Sequence, residues 1–457
     1  MHNQEDRVLK GYMDEVRAKA ASMPDDKLDD AVRQGIERGK LSPSPRRRNR
    51  IFTAAAVLAA AVILLWSGVW QPQAERTTGG PFPPLTVDLS KNPELSQFNE
   101  KGLIQPVGRS TVKGDYKLTV DGVIAGSQQL KVLYTVEHSL KKPVMVLDTI
   151  IKDPVTNEPY KSSAAYGGGN AIPAGIHSFD ADYVYEESQE IPENLILEVK
   201  IAPYSSEFRY SRDLPDAINL EVSLKLDLKT YQKLVRTIPI QQTLEVEGQK
   251  ILIREAVLSA AGMVLKVTVD PANTLEIKEM NNVYLEAVKG GFPTLVNSWL
   301  SYYPDDKGEA DYYFRGAALY DTDSITLKAV GLEAVDPEKL NVVVDLKKGE
   351  LLEVQVDGLE YGGHQLDQDR EGNEVNTLTF NYVNKDKEYV TAIPSFERRF
   401  VDGEGHVHEM GDYISSGSIK EAVISLKIEP LDYPQPLTFS LYSYPNVLEK
   451  KIEVPIQ

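Results

Sequence analysis

His406 and His408 stand two residues apart, a spacing that puts both imidazoles on one side of a β-strand, where they could share a metal ion. Glu404 and Glu409 lie close by. Asp402-Gly-Glu-Gly405, just ahead, reads as a hairpin turn, and on that reading the histidines are exposed residues near a strand end. Asp367-Gln-Asp-Arg-Glu-Gly-Asn373 carries oxygen ligands at alternate positions and glycine in sixth place, as calcium loops do. Its twelfth position is Leu378 where a bidentate glutamate is needed, which favours a polar hairpin loop. Gly167-Gly-Gly169 lacks the following Lys-Ser/Thr of a phosphate loop. Ser162-Ser163 and Ser415-Ser416 have no G-x-S-x-G setting. Tyr302, Tyr303, Tyr312 and Tyr313 read either as a stacking surface for sugars or as core and edge residues of strands. The remaining histidines (His2, His138, His177 and His364) are scattered. No catalytic set emerges, so the chain is read as a non-enzyme, with no cofactor or metal assigned.

The elements around these residues divide sharply at one junction. Ile51 to Trp70 are twenty residues without a charge, preceded by Arg46, Arg47, Arg48 and Arg50. About 20 apolar residues let a helix cross a ~30 Å hydrocarbon core. The arginines belong on the cytoplasmic side, and Trp66 and Trp70 suit the opposite interface. A cleaved signal peptide has a shorter leader than this, and no clear A-x-A site follows Val69. The expected topology is a cell-membrane protein with one transmembrane helix, its N-terminus cytoplasmic and its long C-terminal region extracellular.

Ahead of the span, Leu9, Tyr12, Met13, Val16 and Ala20 recur at helical spacing until Pro24. A second short helix begins near Asp25, with Leu28, Val32 and Ile36 on one stripe, and Ser42-Pro43-Ser44-Pro45 follow as a tether. Short amphipathic helices with no core of their own are candidate docking elements for a partner; a solvated tail is the plainer alternative.

Residues 1–50 hold twelve basic and nine acidic side chains, leaving 38 basic against 59 acidic in residues 51–457 of a chain whose net charge is −18. So acidic an exterior argues against nucleic acid as a direct partner. Cysteine is absent, which removes disulfides, thiolate zinc sites and cysteine nucleophiles together.

Beyond a linker rich in Pro, Gly and Thr, the period becomes two. Tyr116-Lys-Leu-Thr-Val120 alternates, a turn is expected at Asp121-Gly122, and Leu130 to Val136 form the next strand. Leu195 to Ile201 and Leu220 to Leu228 continue in the same style. Lys250 to Leu258 and Val264 to Val269 then repeat the pattern. With Val123-Ile124 laid on Val257-Leu258, Leu118 falls on Leu252, and one inserted residue later Leu130-Lys131-Val132 falls on Leu265-Lys266-Val267. A third block opens with Leu351 to Leu359, which Thr377 to Val383 are expected to pair. The expected fold class is mainly β: short N-terminal helices, one transmembrane helix, then two to three consecutive antiparallel β-sandwich (Ig-like) modules. Expected boundaries are 1–45 for the cytoplasmic helical segment, 46–70 for the basic flank and span, and 71–105 for the linker. The three modules are expected at 106–240, 241–333 and 334–457.

Asp25-Asp-Lys-Leu-Asp-Asp-Ala-Val-Arg-Gln-Gly-Ile-Glu-Arg-Gly-Lys40, the basic-flanked span and a long β exterior, in that order, resemble the DUF4179-type membrane proteins of Gram-positive bacteria. Asn92-Pro-Glu-Leu, Lys101-Gly-Leu-Ile-Gln-Pro-Val107 and Tyr116-Lys-Leu-Thr-Val-Asp-Gly-Val-Ile-Ala125 extend the likeness. The module opening at Gln242-Thr-Leu-Glu-Val-Glu-Gly248 is similar to the DUF5643 domain that often follows. The resemblance covers roughly residues 25–330. It implies an anti-sigma-like role, in which the interior segment holds a cytoplasmic sigma factor and the exterior senses an envelope signal or ligand. The zinc-containing anti-sigma class uses one His and two Cys, so a sigma contact by this cysteine-free chain would be metal-free. The gripping stripe would be Leu28, Val32 and Ile36. The alternatives are a structural or wall-binding β protein without a regulatory tail, and a wall-active enzyme, which would need converging carboxylates.

Overall fold

The structure, a computed structural model, describes residues 80–83, 85 and 92–457, apart from 186–189, 205–213, 215, 303, 370–371, 385–392, 412 and 419. Leu28, Val32, Ile36, Arg46, Arg47, Arg48, Arg50, Ile51, Trp66 and Trp70 lie outside the described residues. Among the described residues, no helix is long and apolar enough to cross a membrane. The described region is mainly β and its named strands pair antiparallel throughout.

The expected boundaries place residues 92–105 in the linker, but they are built into the first core. Asn92 caps helix α1 (Pro93–Glu100): its side chain accepts from Leu95 N, and proline suits the first helical position. Leu95, Phe98, Leu103 and Ile104 are buried in the first core. Each such side chain contributes roughly 1.5–3 kcal/mol of burial, enough to hold an eight-residue helix that would not persist alone. The strands of this core are β1 (Gln105–Lys113), β2 (Tyr116–Ala125), β3 (Gln129–His138), β4 (Val144–Lys152), β5 (Ser162–Tyr166), β6 (Gly175–Tyr185), β7 (Asn194–Pro203) and β8 (Ile218–Lys225). The five-residue helix α2 (Leu228–Gln232) follows them. One sheet has the order β1-β2-β3-β6-β5, the other β4-β7-β8, and apolar residues of both fill one core.

Asp121-Gly122 is not a turn. β2 runs straight through it with a bulge between Val120 and Gly122, and the connection to β3 comes after Ala125. Thr135 Oγ1 donates to the Asp121 carboxylate at 2.7 Å, so the bulged residue is held within the sheet. Gly122 has no room for a side chain: a Cβ there would stand 2.6 Å from Ile104 Cγ2.

The second core is formed by β9 (Arg236–Val246), β10 (Gln249–Ser259), β11 (Gly262–Val269), β12 (Glu276–Asn281), β13 (Tyr284–Lys289), β14 (Phe292–Ser301), β15 (Glu309–Arg315) and β16 (Ser324–Val335). They follow one another as β12-β16-β13-β14-β15-β11-β10-β9. The third core contains β17 (Asn341–Asp345), β18 (Glu350–Val354), β19 (Leu359–Gln368), β20 (Glu374–Val383), β21 (Ser395–Val401), β22 (Val407–Glu409), β23 (Tyr413–Gly417), β24 (Glu421–Ile428) and β25 (Leu437–Ser443). Its sheets are β18-β17-β25-β21-β22 and β19-β20-β24-β23. The pairing expected for residues 351–359 differs: β20 pairs with β19, and β18 with β17, because the chain turns at Gly358 and starts a new strand at Leu359.

The last strand, β26 (Val447–Pro455), leaves the third core and pairs with β16. Strand order explains the return. β1-β2-β3-β6-β5 in the first core corresponds to β9-β10-β11-β15-β14 in the second, and β4-β7-β8 corresponds to β12-β16-β26. β26 thus takes the place that β8 holds in the first core, and the third module is inserted between two neighbouring strands of the second. Its entry and exit are stitched together: Ala334 N donates to Asn446 O at 3.0 Å, and Asn446 Nδ2 donates to Ala334 O at 2.8 Å. The repeated hairpins differ at the turn. Val123 faces Val132, but Val257 faces Val264 rather than Val267, since the second turn is shorter.

Candidate functional site

The hairpin turn read at Asp402-Gly-Glu-Gly405 is the one found, with Asp402 N donating to His406 O at 3.0 Å. It explains the two histidines. Asp402 Oδ2 lies 2.9 Å from His408 Nε2 and 3.3 Å from His406 Nδ1, while Oδ1 accepts from the Glu404 and His406 amides. Burial pushes the Asp402 carboxyl up, but these four partners outweigh it and hold the group well below the usual carboxylate range. His408 also stacks on Phe400 at 5.1 Å and meets Tyr433 edge-on at 4.8 Å. Both rings are turned onto one carboxylate that fastens the turn. Among the described residues, no group of three or more His, Asp or Glu is arranged to hold a metal ion.

The other motifs have structural uses as well. The Asp369 carboxylate accepts from Asn373 N and Nδ2 at 2.8 and 2.9 Å, closing the β19–β20 loop on itself. Gly169 N donates to Val146 O, which ties the glycine run to β4. Ser163 Oγ and Tyr302 OH are 2.8 Å apart, across the first and second modules. Tyr312 and Tyr313 are buried, and Tyr312 OH accepts from Met280 N. Of the tyrosines weighed for stacking, Tyr302 is part-exposed and Tyr303 lies outside the described residues. Ser415 and Ser416 are exposed on the edge strand β23.

Two clusters of charge lie at junctions that the motifs do not mark. The first joins the first two modules. Lys131, 2% exposed, donates to Asp180 and Asp182 at 2.7 and 2.9 Å, and Asp182 also pairs with Arg315 of the second module. Burial favours neutral Lys131, yet Asp182 and Asp180 outweigh it and hold the ammonium above its ordinary range. Arg315 lies over the Trp299 ring at 5.4 Å. Val184, Val264 and Tyr313 form a small apolar cluster on the same boundary.

The second is a carboxylate pair. β12 and β16 are registered so that Glu279 faces Glu333, with Lys278 as the bulged residue between pairs. Burial pushes the Glu333 carboxyl up to about 7; the Glu279 charge adds to this and Lys278 opposes it. Burial raises Glu279 too, against a hydrogen bond from Ser301 Oγ at 3.0 Å. A cleft of about 530 Å3, lined by Glu279, Tyr284, Ser298, Trp299 and Ser301, opens onto the Glu279 side of the pair. Sequence reasoning passed over both glutamates. The one available signal was Glu333 inside the apolar run Val330-Gly-Leu-Glu-Ala-Val335, a charge where alternation puts core. Its partner, 54 positions earlier, is named only by register.

No protein-family model matches the chain, and no curated protein matches it. Among solved structures it matches the crystal structure of the conserved domain protein from Bacillus anthracis, at 11% identity over 54% of this chain and 84% of that one, with a TM-score of 0.35. A likeness of that size establishes neither a shared fold nor a shared function.

Proposed function

We propose that the chain is a single-pass membrane regulator of the anti-sigma type, as its resemblance to DUF4179-type proteins implies. The observation that carries this reading is the junction at Arg46–Arg48, Arg50 and Ile51–Trp70, which divides a basic, helix-patterned segment from an acidic β region. Residues 1–45 hold a cytoplasmic sigma factor, with Leu28, Val32 and Ile36 as the contact stripe. The three β cores stand outside as Ig-like sandwiches and meet an envelope signal or ligand. The lipid bilayer is touched by one helix only, and nucleic acid is not a direct partner. The use of His406, His408 and Asp369 for fastening turns fits a binding or sensing exterior better than a catalytic one. A single crossing helix transmits little by itself, so release works through proteolysis or a change of association. The test is capture of cell proteins on residues 1–45. Enrichment of a sigma factor that Leu28→Asp abolishes supports the reading; no enrichment overturns it.

A second reading, wall binding without a regulatory tail, is favoured by a cleft of about 340 Å3 where the second and third modules meet. Tyr382, Tyr444, Asp357, Asn384 and Asn446 line it, a mix of rings and polar groups suited to a sugar polymer. On this reading, a chain lacking residues 1–40 keeps its full effect in the cell; on the first it loses it.

A further inference from the structure

β12 is an edge strand whose one ladder partner is β16, with further hydrogen bonds from Met280 N to Tyr312 OH and from Ser301 Oγ to Glu279. It is also a link to the inserted third module. Lys278 Nζ lies 4.3 Å from the centre of the Tyr442 ring on β25, and Leu275, just before β12, lines the cleft between the two modules. Directly opposed residues in an antiparallel pair have Cβ atoms about 4.5–5.5 Å apart, and like charges there oppose pairing. Glu279 and Glu333 occupy such positions, and Glu333 is 3% exposed. Among the described residues, no cation is ion-paired with either of them. Lys278, the nearest, donates to Glu276 at 2.6 Å and covers Tyr442.

The other charged and titratable groups described around the pair are few. Glu276 shares β12. Glu449 on β26 sits two positions beyond Val447, the register partner of Glu333, and so shares its face. Across on the third module stand Tyr442 and, near it, Glu397 of β21. Tyr284 lines the cleft beside Glu279 and, like Tyr442, is a neutral phenol; apart from Lys278 the charged groups named are acidic, so they do not relieve the repulsion.

We propose that β12 is a pH-sensitive clasp between the second and third modules, closed while Glu279 and Glu333 hold one proton between them and loosened when both are ionised. The proton comes from water through the cleft beside Glu279. In the closed form, the protonated carboxyl of one glutamate faces the carboxylate of the other, and the strand keeps its register. On ionisation the proton returns to water, two carboxylates face each other with no cation between them, and the bulged edge strand frays. Lys278 is then withdrawn from Tyr442 and the inserted module is held by its two chain crossings. The clasp is independent of the sigma-factor reading: it opens or stays shut whatever residues 1–45 bind.

Hydrogen–deuterium exchange on the full chain at pH 5.5 and pH 8.5, corrected for intrinsic exchange, tests this. Protection of residues 276–281 is expected to fall about tenfold or more at pH 8.5, while residues 377–383 of β20 stay unchanged. Glu333→Gln should keep 276–281 protected at both pH values. Equal corrected protection at the two pH values in the unaltered chain overturns the proposal. So does a pH dependence that survives in Glu333→Gln. Should Glu333→Gln fail to fold, Glu279→Gln at the part-exposed partner serves the same purpose, read by carboxyl carbon resonances of the glutamates. One resonance titrating near neutrality in the unaltered chain, and moving to lower pH in Glu279→Gln, supports the clasp; all glutamates titrating below about pH 5.5 sinks it.

Discussion

Asp182 and Arg315 form an ion pair across the boundary between the first and second modules, and the same Asp182 oxygen receives the buried ammonium of Lys131. One carboxylate thus satisfies a cation inside its own module and anchors the next. Removing it leaves Lys131 to Asp180, which is itself 36% exposed. A buried charge that loses a partner is expensive. Asp182→Asn should lower the stability of the first unfolding transition in urea by roughly 2–3 kcal/mol, and Arg315→Ala by less than about 1 kcal/mol, since its guanidinium is part-exposed.

The carboxylate pair makes stability fall as pH rises. The folded Glu333 carboxyl is raised from 4.5 to about 7, so between those values the folded chain binds more protons than the unfolded one. Its neutral form is fully accommodated below about 4.5, and stability is lost as pH climbs toward 7. The loss is about 3.5 kcal/mol at most, since each tenfold change in proton affinity is worth about 1.4 kcal/mol. Thermal unfolding followed from pH 5 to pH 8 should show a falling midpoint, and Glu333→Gln should flatten the profile. A midpoint that rises over this range contradicts the assignment.

Asp402 has the opposite sign. Its folded carboxyl is depressed, so its support is present above the unfolded value of 3.8 and disappears as pH falls through the folded one. Asp402→Ala should free both histidines and lower the unfolding midpoint of the third module. Nuclear magnetic resonance of the unaltered chain with added zinc ions should leave His406 and His408 in place, because both rings are engaged by Asp402.

Gly331 sets how closely the returning strand can dock. A Cβ there would stand 2.0 Å from the Leu448 carbonyl oxygen, so β26 must move away from β16. Gly331→Ala should destabilise the second module by roughly 1–3 kcal/mol or more, as overpacking does. Circular dichroism through a thermal ramp will measure it, and an unchanged midpoint would show that β26 is not needed for the second core.

The insertion can be removed by design and at the bench. Because Ala334 and Asn446 are hydrogen-bonded to each other, a short turn joining Asp336 to Tyr444 should leave β16 and β26 paired. The shortened chain should unfold cooperatively and keep the β signal of its first two modules. Loss of folding would mean that the third core is part of the second module's stability.

Much of the β content was legible because alternation is local. Leu118, Val120, Leu130 and Val132 declare an inward face within a few residues of one another, and each is buried. The junction at Arg46 to Trp70 is likewise a property of composition along the chain, readable without any partner. The hairpin at Asp402 was readable for the same reason: turn residues and histidines lie within seven positions.

Long-range pairing was not legible, and the reason is physical. A strand's alternation states which face is buried but not which edge it will join, so nothing in Val447 to Pro455 names β16 as its partner. Asp121-Gly122 looked like a turn by residue type, and Ile104 packing against Gly122 kept it in the sheet. Glu279 and Glu333 are ordinary glutamates in sequence. What the sequence alone determined is a β-rich acidic region behind a basic-flanked apolar segment. Only the tertiary structure decided that a third module is inserted into the second and that two carboxylates meet at its base, because register and burial arise only when strands far apart in the chain come together.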